Sequence, residues 1–355
     1  MGSPDQPSAE RGRRHRRVGA VLAVLVLAGL VAFALSQLGL RRIWHALITA
    51  SPGWIALALV LMGLSLLMRS LSWHQTLRAA LPTTHIAWAP VVRATMIGVM
   101  ASAVFPGRIG EPTRVVVLAR RLEGPNRRLL PVVAGTVFSQ TLINLVALGV
   151  LAAVTFSSVP LLRGHPAGIA LALGVPLIGC ALVVAGPRIL AFAQRARWKR
   201  LSLAASLLAR LLALARRGLV VFARPRLGLS AVSLQLLAWA LQWLACYMVL
   251  LALGLQSKAG LVSAAAVLLA VNVSAILPPT PSNLGVFQAA CLVVLAAYEV
   301  GAGQALAYGI ILQAVEVLTA LALGTPALLR EGLTWRDIRS AEAAGGTAGS
   351  EVLPP

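Results

Sequence analysis

The chain alternates long apolar runs with short polar, mostly basic ones. A run of about 20 apolar residues is what a helix needs to cross the hydrocarbon core of a bilayer. Six stretches qualify: Val18–Leu38, Trp54–Leu71, Thr136–Phe156 (with a start as early as Leu130), Ala167–Ala185, Leu227–Leu253 and Gln304–Leu329. Two further apolar stretches are interrupted. Ala89–Ala119 is broken at Phe105-Pro106-Gly107-Arg108-Ile109-Gly110-Glu111-Pro112. Gly260–Val300 is broken at Leu277-Pro278-Pro279-Thr280-Pro281-Ser282-Asn283-Leu284-Gly285. Proline removes an amide donor and glycine frees the backbone, so neither break continues a helix. Non-helical backbone is tolerated at membrane depth only inside protein or beside water. Each interrupted stretch therefore predicts a hairpin of two short helices. The fold class expected is all-α: a polytopic membrane helical bundle of about six full spans. Two re-entrant-like hairpins join it, with structural breaks at Pro106, Pro112, Pro278, Pro279 and Pro281.

Composition agrees with that reading. Of the 355 residues 59% are hydrophobic and only 12% charged, against about 25% charged in soluble domains. The mean hydropathy is +0.85. Too few polar residues are present to coat a soluble fold, which excludes an ordinary cytosolic enzyme, a disulfide scaffold and a disordered tail protein. The formal net charge of +21, from 31 Lys+Arg against 10 Asp+Glu, raises the question of nucleic acid. Most of these cations sit in clusters beside apolar runs, where topology and attraction to anionic headgroups account for them. No nucleic-acid partner is expected. Cys180, Cys246 and Cys291 lie scattered in apolar stretches and read as small core hydrophobes. His15, His45, His74, His85 and His165 form no HxxH or HxxxH pair, so neither a metal nor another cofactor is expected.

The basic residues also orient the chain. With the N-terminus cytoplasmic, the first hairpin entering from the cytoplasm and the second from outside, 24 of the 31 fall in cytoplasmic segments, Arg69 and Arg78 among them. Four lie outside and three (Arg93, Arg108, Arg114) in the first hairpin. That bias fits the positive-inside rule. Residues 1–17 form a basic cytoplasmic tail, and the run after Arg17 reads as an uncleaved signal-anchor. Residues 18–330 form the membrane domain, with a basic interfacial linker at 187–226 between its halves. Residues 331–355, rich in Gly, Ala and Glu, read as a disordered cytoplasmic tail. The expected location is the cell membrane, multi-pass, with both termini cytoplasmic. Two oppositely facing broken segments in corresponding halves are the sequence mark of an inverted repeat around a central site.

Charged groups inside a bilayer cost several kcal/mol, at about 2.5–3.5 for an arginine at a helix centre, unless paired or hydrated, and so are functional candidates. The densest set is Arg108-Ile109-Gly110-Glu111-Pro112-Thr113-Arg114, preceded by Gly107. Arginine offers a planar fork suited to phosphate, and Glu111 either holds an arginine in place or accepts from a headgroup hydroxyl. An internal Arg–Glu brace is the competing account. The second break carries no charge; Asn283 and Gly285 shape its turn, with Asn272 and Gln288 on either side. Gln313 and Glu316, three apart on the last span, share a helix face. Gln140 and Asn144, four apart, read as helix–helix glue. No GxSxG, Walker loop or acidic metal cluster is present, and no enzymatic activity is expected.

Pro106-Gly107-Arg108-Ile109-Gly110-Glu111 followed by Arg114, and later Pro278 through Asn283-Leu284-Gly285-Val286, resemble the flippase-like family that corresponds to the transmembrane region of lysylphosphatidylglycerol synthases. The resemblance runs over roughly Val18–Arg330 and implies a membrane region that moves modified phospholipids between leaflets, or associates with polyprenyl-linked glycan assembly. Two departures are visible. The aminoacylating synthases carry a large soluble catalytic domain, whereas this chain ends soon after its last span, so aminoacyl transfer is not expected. Relatives place a carboxylate after the second turn, where this chain has Gln288. The reading that follows is a lipid translocase for a phospholipid or polyprenyl-phosphate-linked lipid. Its substrate-binding residues would be Gly107, Arg108, Gly110, Glu111, Arg114, Asn283, Gly285, Gln288 and Glu316. The partners are membrane lipids with phosphate-bearing headgroups. The alternative is a non-transporting scaffold for a separate lipid-modifying or glycan-assembly enzyme.

Overall fold

The computed structural model describes residues 48–104, 110–123, 129–158, 221, 224–275 and 285–332. Eight helices lie among them: α1 (Pro52–Ala80), α2 (Trp88–Val104), α3 (Gly110–Glu123), α4 (Leu130–Ser158), α5 (Pro225–Ala252), α6 (Leu261–Ser274), α7 (Val286–Ala296) and α8 (Ala302–Arg330). The expected spans 18–38 and 167–185, most of the linker before α5, the N-terminal tail and residues 333–355 lie outside the described residues. α1, α4, α5 and α8 are each long and apolar enough to cross a membrane. The chain is a polytopic helical membrane protein.

The order long, short, short, long occurs twice. α2 and α3 extend about 25 and 21 Å, α6 and α7 about 21 and 16 Å, at 1.5 Å per residue, so none crosses a core of about 30 Å. Each pair folds back as a hairpin, as the sequence predicts.

α1 and α5 form the seam between the halves. Every seventh residue of α1 facing α5 is small: Ser51 at its cap, then Ala58, Ser65, Ser72 and Ala79. α5 answers with Ala231, Ala238, Ala245 and Ala252, all buried. Three hydrogen bonds fix one antiparallel register: Ser51 N–H donates to the Ala252 carbonyl (2.9 Å), the Ser65 hydroxyl to the Ala238 carbonyl (2.7 Å) and the Ser72 hydroxyl to the Ala231 carbonyl (2.8 Å). Apolar contact gains nothing over lipid tails within a bilayer, so association rests on close backbone approach and hydroxyl bonds, both of which small residues allow. A seven-residue repeat is what a shallow left-handed crossing of about 20° produces.

The hairpins enter from opposite ends. At one end Glu331, just past α8, pairs with Arg93 near the start of α2 and lies 3.8 Å from Arg121 near the end of α3. At the other, Trp243 Nε1 of α5 donates to the Leu261 carbonyl at the start of α6 (2.7 Å), and Lys258 Nζ to the Glu299 carbonyl between α7 and α8 (3.1 Å). Packing is reciprocal: α2 lies on α8 of the other half, and α6 lies on α4 of the first. Antiparallel first helices with exchanged hairpins make the two halves an inverted repeat. Arg78, Arg93, Arg120, Arg121, Arg224, Arg226 and Arg330 gather at one end, hereafter the basic end, and Lys258 is the cation at the other among the described residues.

Two sequence expectations are corrected. Arg69 does not belong to a polar loop: α1 runs nine residues past the expected end at Leu71, and Arg69 faces into the bundle, where its Nη2 donates to Gln242. Pro112 is not a break. α3 already begins at Gly110, and Pro112 occupies its first turn, where a missing N–H costs no hydrogen bond.

Ala238→Leu should push the seam apart and lower unfolding free energy in detergent by about 1–3 kcal/mol, the usual cost of overpacking. Leu237→Ala, on the neighbouring exposed face, should change it little. Equal thermal shifts for the two would refute the seam's role.

Candidate functional site

The tip of the first hairpin is built by a close crossing of α2 and α3. The α-carbons of Gly98 and Gly110 meet so tightly that a Cβ on Gly98 would lie 2.6 Å from the Gly110 carbonyl oxygen, and one on Gly110 would overlap the Gly98 carbonyl and the Ser102 hydroxyl. Gly110 is therefore buried packing surface. The crossing turns Arg114, one turn into α3, toward the bundle axis. Its guanidinium lies 4.9 Å from the centre of the fully buried Trp73 ring, a cation–π contact. Trp73 is itself fixed by its Nε1 donating to Thr136 Oγ1 at 3.0 Å.

From Arg114 a chain of polar side chains runs along the bundle. Arg114 Nη1 donates to Gln140 Oε1 (2.9 Å), and Gln140 Nε2 donates to the Arg69 carbonyl (3.0 Å). Arg69 Nη2 donates to Gln242 Oε1 (3.0 Å). That leaves the Gln242 amide nitrogen to bond the Glu316 carboxylate, which also lies within electrostatic reach of Arg69. By the seam's register Arg69 and Gln242 are about two turns apart along the axis. They meet because helical side chains lean toward their own N-terminus, and in an antiparallel pair the two lean together. One turn from Glu316, Gln313 accepts from Gln288 Nε2 at the start of α7, the tip of the second hairpin. The polar file thus runs from one hairpin to the other on residues of six helices.

At the second tip the described residues carry no charge. Gly285, at φ 86°, occupies the left-handed region that favours glycine. Its N–H donates to Gln288 Oε1 at 2.8 Å, capping α7. Gln288 therefore uses its oxygen on the cap and its nitrogen on Gln313. A carboxylate could do only the first, which accounts physically for an amide at this position.

Of the residues expected from sequence, Gly110, Glu111 and Arg114 meet at the first tip, and Gly285, Gln288 and Glu316 lie along the file to the second. Gly107, Arg108, Asn283, Pro106, Pro278, Pro279 and Pro281 lie outside the described residues. Glu111 is exposed yet within electrostatic reach of Arg114; at that depth a carboxylate calls for water or a polar ligand beside it. Gln140 and Asn144 do join helices: Asn144 Oδ1 accepts from Gln235 (2.8 Å) and Trp239 (2.9 Å) of α5. Sequence reasoning missed Arg69, Gln242 and Trp73. The signal was present in part, since Arg69 lies between Ser65 and Ser72, the small residues that bring α5 close.

Chemically, the file pairs two buried arginines with two carboxylates and keeps donors in reserve. Arg69 Nε and Arg114 Nε are buried with no hydrogen-bond partner among the described residues. α3 and α7 both begin at the file, so their N-terminal dipoles, each worth about half a positive charge, point at it from opposite ends. Among the described residues no group of three metal-ligating side chains occurs.

The family model described as lysylphosphatidylglycerol synthase TM region matches residues 20–324 of the chain. No curated protein and no solved structure matches it.

Arg69→Met should strand Glu316 and Gln242 and cost about 3–5 kcal/mol, the range for breaking a buried pair. Adding Glu316→Leu should restore most of that loss in a double-mutant cycle by detergent unfolding; additive losses would refute the coupling. Gln288→Glu should keep the cap but lose the donor to Gln313, lowering stability by about 1–3 kcal/mol, with Gln288→Asp no better.

Proposed function

Because the chain belongs to the lysylphosphatidylglycerol synthase TM region family, we propose that it is a lipid translocase. It moves a lipid with a phosphate-bearing headgroup, a phospholipid or a polyprenyl-phosphate-linked lipid, between leaflets of the cell membrane. The observation that carries this reading is the pair of buried arginines, Arg69 and Arg114, with unspent Nε donors at the foot of two opposed helix N-termini.

A phosphodiester is hard to carry through hydrocarbon because its charge must be desolvated. The file replaces water group by group. Arg114 and Arg69 offer N–H donors to phosphate oxygens, with Arg108 placed by sequence at the same tip. Trp73 holds the Arg114 guanidinium over its ring, a contact that leaves the N–H donors of the fork for polar partners. Glu111 and Glu316 balance the two arginines when no phosphate is present and accept from headgroup hydroxyl or ammonium groups when one is. Acyl chains remain in the bilayer beside the bundle. In this scheme the hairpins are the two gates: the first opens the file toward the basic end, taken as cytoplasmic with both termini, and the second opens it to the other side. Aminoacyl transfer has no part in it.

The test is movement of an NBD-labelled anionic phospholipid across vesicles holding the purified chain, followed by dithionite quenching. Arg114→Gln should reduce the rate at least about tenfold, equivalent to 1.4 kcal/mol in the barrier, in protein that still folds and inserts, and Trp73→Phe, which keeps an aromatic face under the guanidinium, should retain most of it. Full transport by Arg114→Gln would overturn the reading and favour a scaffold that docks a separate lipid-modifying or glycan-assembly enzyme.

A further inference from the structure

On the flank of the bundle, away from the polar file, α1, α2 and α8 leave a groove of 420 Å³, within the range of about 300–1,000 Å³ typical of ligand sites. Its walls are apolar, with Gly63 and Leu67 from α1, Met96 from α2 and Pro326 from α8, and its charged lining groups among the described residues are Arg93 and Arg330. Gly63 helps make the space: a Cβ there would meet only Leu323 Cδ1, at 3.7 Å. Val60, Leu64 and Leu323 beside it are exposed at 58, 42 and 37%. In a membrane bundle that surface borders acyl chains, not water.

The charge at the groove's end is unbalanced. Arg93 and Arg121 share the single carboxylate of Glu331, and Arg330 adds a third, exposed cation one residue away. Among the described residues, three guanidinium groups around one carboxylate leave net positive charge at the mouth of an apolar slot. A hydrocarbon tail fills such a slot and a phosphate completes the charge.

The geometry points to a lateral lipid site: an anionic phospholipid lies with one acyl chain in the groove between α1, α2 and α8 and its phosphate on Arg330 and Arg93. The site is separate from the central file. α2 forms the wall between them, its Arg93 and Met96 facing the groove while its Gly98 packs against α3, which carries Arg114. A lipid held here is one hairpin away from the buried arginines; that use of the site, though not its existence, rests on the transport reading.

Native mass spectrometry of the full chain from mixed dioleoyl-phosphatidylglycerol and dioleoyl-phosphatidylcholine micelles tests the assignment. The parent should retain phosphatidylglycerol in preference to phosphatidylcholine. Arg330→Gln should reduce that preference about fivefold, the effect of one basic residue on an anionic lipid, and Arg330→Lys should restore it. Gly63→Leu should reduce retention of both lipids by filling the slot. Equal retention of the two lipids by the parent, unchanged retention in both Arg330→Gln and Gly63→Leu, or a dimer that protects Leu64 and Leu323 from labelling would each overturn it. The transport assay on the same variants separates the two claims. Lost binding with normal transport of the labelled lipid upholds the groove and detaches it from the pathway, whereas normal binding with no transport by the parent removes the translocase and leaves the groove standing.

Discussion

Close approach of two antiparallel helix backbones, permitted by alanine and serine at every seventh position, is the constraint on which the rest of this bundle depends. In water a seam of alanines would be a weak interface, because little apolar area is buried per residue. In a bilayer the comparison changes, since larger side chains pack as well against lipid as against protein and only backbone proximity is gained by associating. The hydroxyls of Ser65 and Ser72 exploit it by bonding carbonyls of the facing helix directly. Once α1 and α5 are locked in that register, the positions of both hairpins and of α4 and α8 follow, because each packs on one of the pair or across to the opposite half.

The same proximity makes a buried polar file tolerable. Arg69 would be costly on an isolated helix, but the seam delivers Gln242 from α5, and α8 delivers Glu316. Three glutamines along the route are used at both ends of the amide: Gln140 between Arg114 and the Arg69 carbonyl, Gln242 between Arg69 and Glu316, Gln288 between Gly285 and Gln313. Amides suit this work because one side chain both donates and accepts, so a line of them carries polarity through the membrane without adding charge. The two arginines are the exception. Their spare donors mark where the protein's own groups stop short of satisfying one another.

Much of the architecture was legible in the sequence. Proline and glycine at 105–112 and 277–285 interrupt runs otherwise long enough to span, and the helices on either side, α2 with α3 and α6 with α7, are the short ones found. The basic bias already fitted hairpins that face opposite ways. What escaped was the lateral partner of each residue. Hydropathy places a residue along the membrane normal and says nothing about its neighbour, so Arg69 followed by Ser70 and His74 read as the end of a span. The heptad of small residues that would have corrected this was in plain sight, but its meaning depends on a matching heptad 150 or more residues later. Gln288 was legible as a departure from a carboxylate; why an amide suffices became clear only when Gln313 and the Gly285 amide were seen on its two ends.

The inverted halves share a backbone plan but not a charge pattern. Between residues 105 and 114 the first hairpin carries Arg108, Glu111 and Arg114, a net single positive charge, while residues 277–288 of the second carry none. In an energised membrane a charge displaced through the full voltage drop does work of about 2.3 kcal/mol per 100 mV, and a neutral segment does none. Any excursion of the first hairpin along the membrane normal is therefore coupled to the electrical field, and the matching excursion of the second is indifferent to it. Two elements alike in shape are in this respect different electrical objects, one carrying a net charge on which a field can act and the other carrying none.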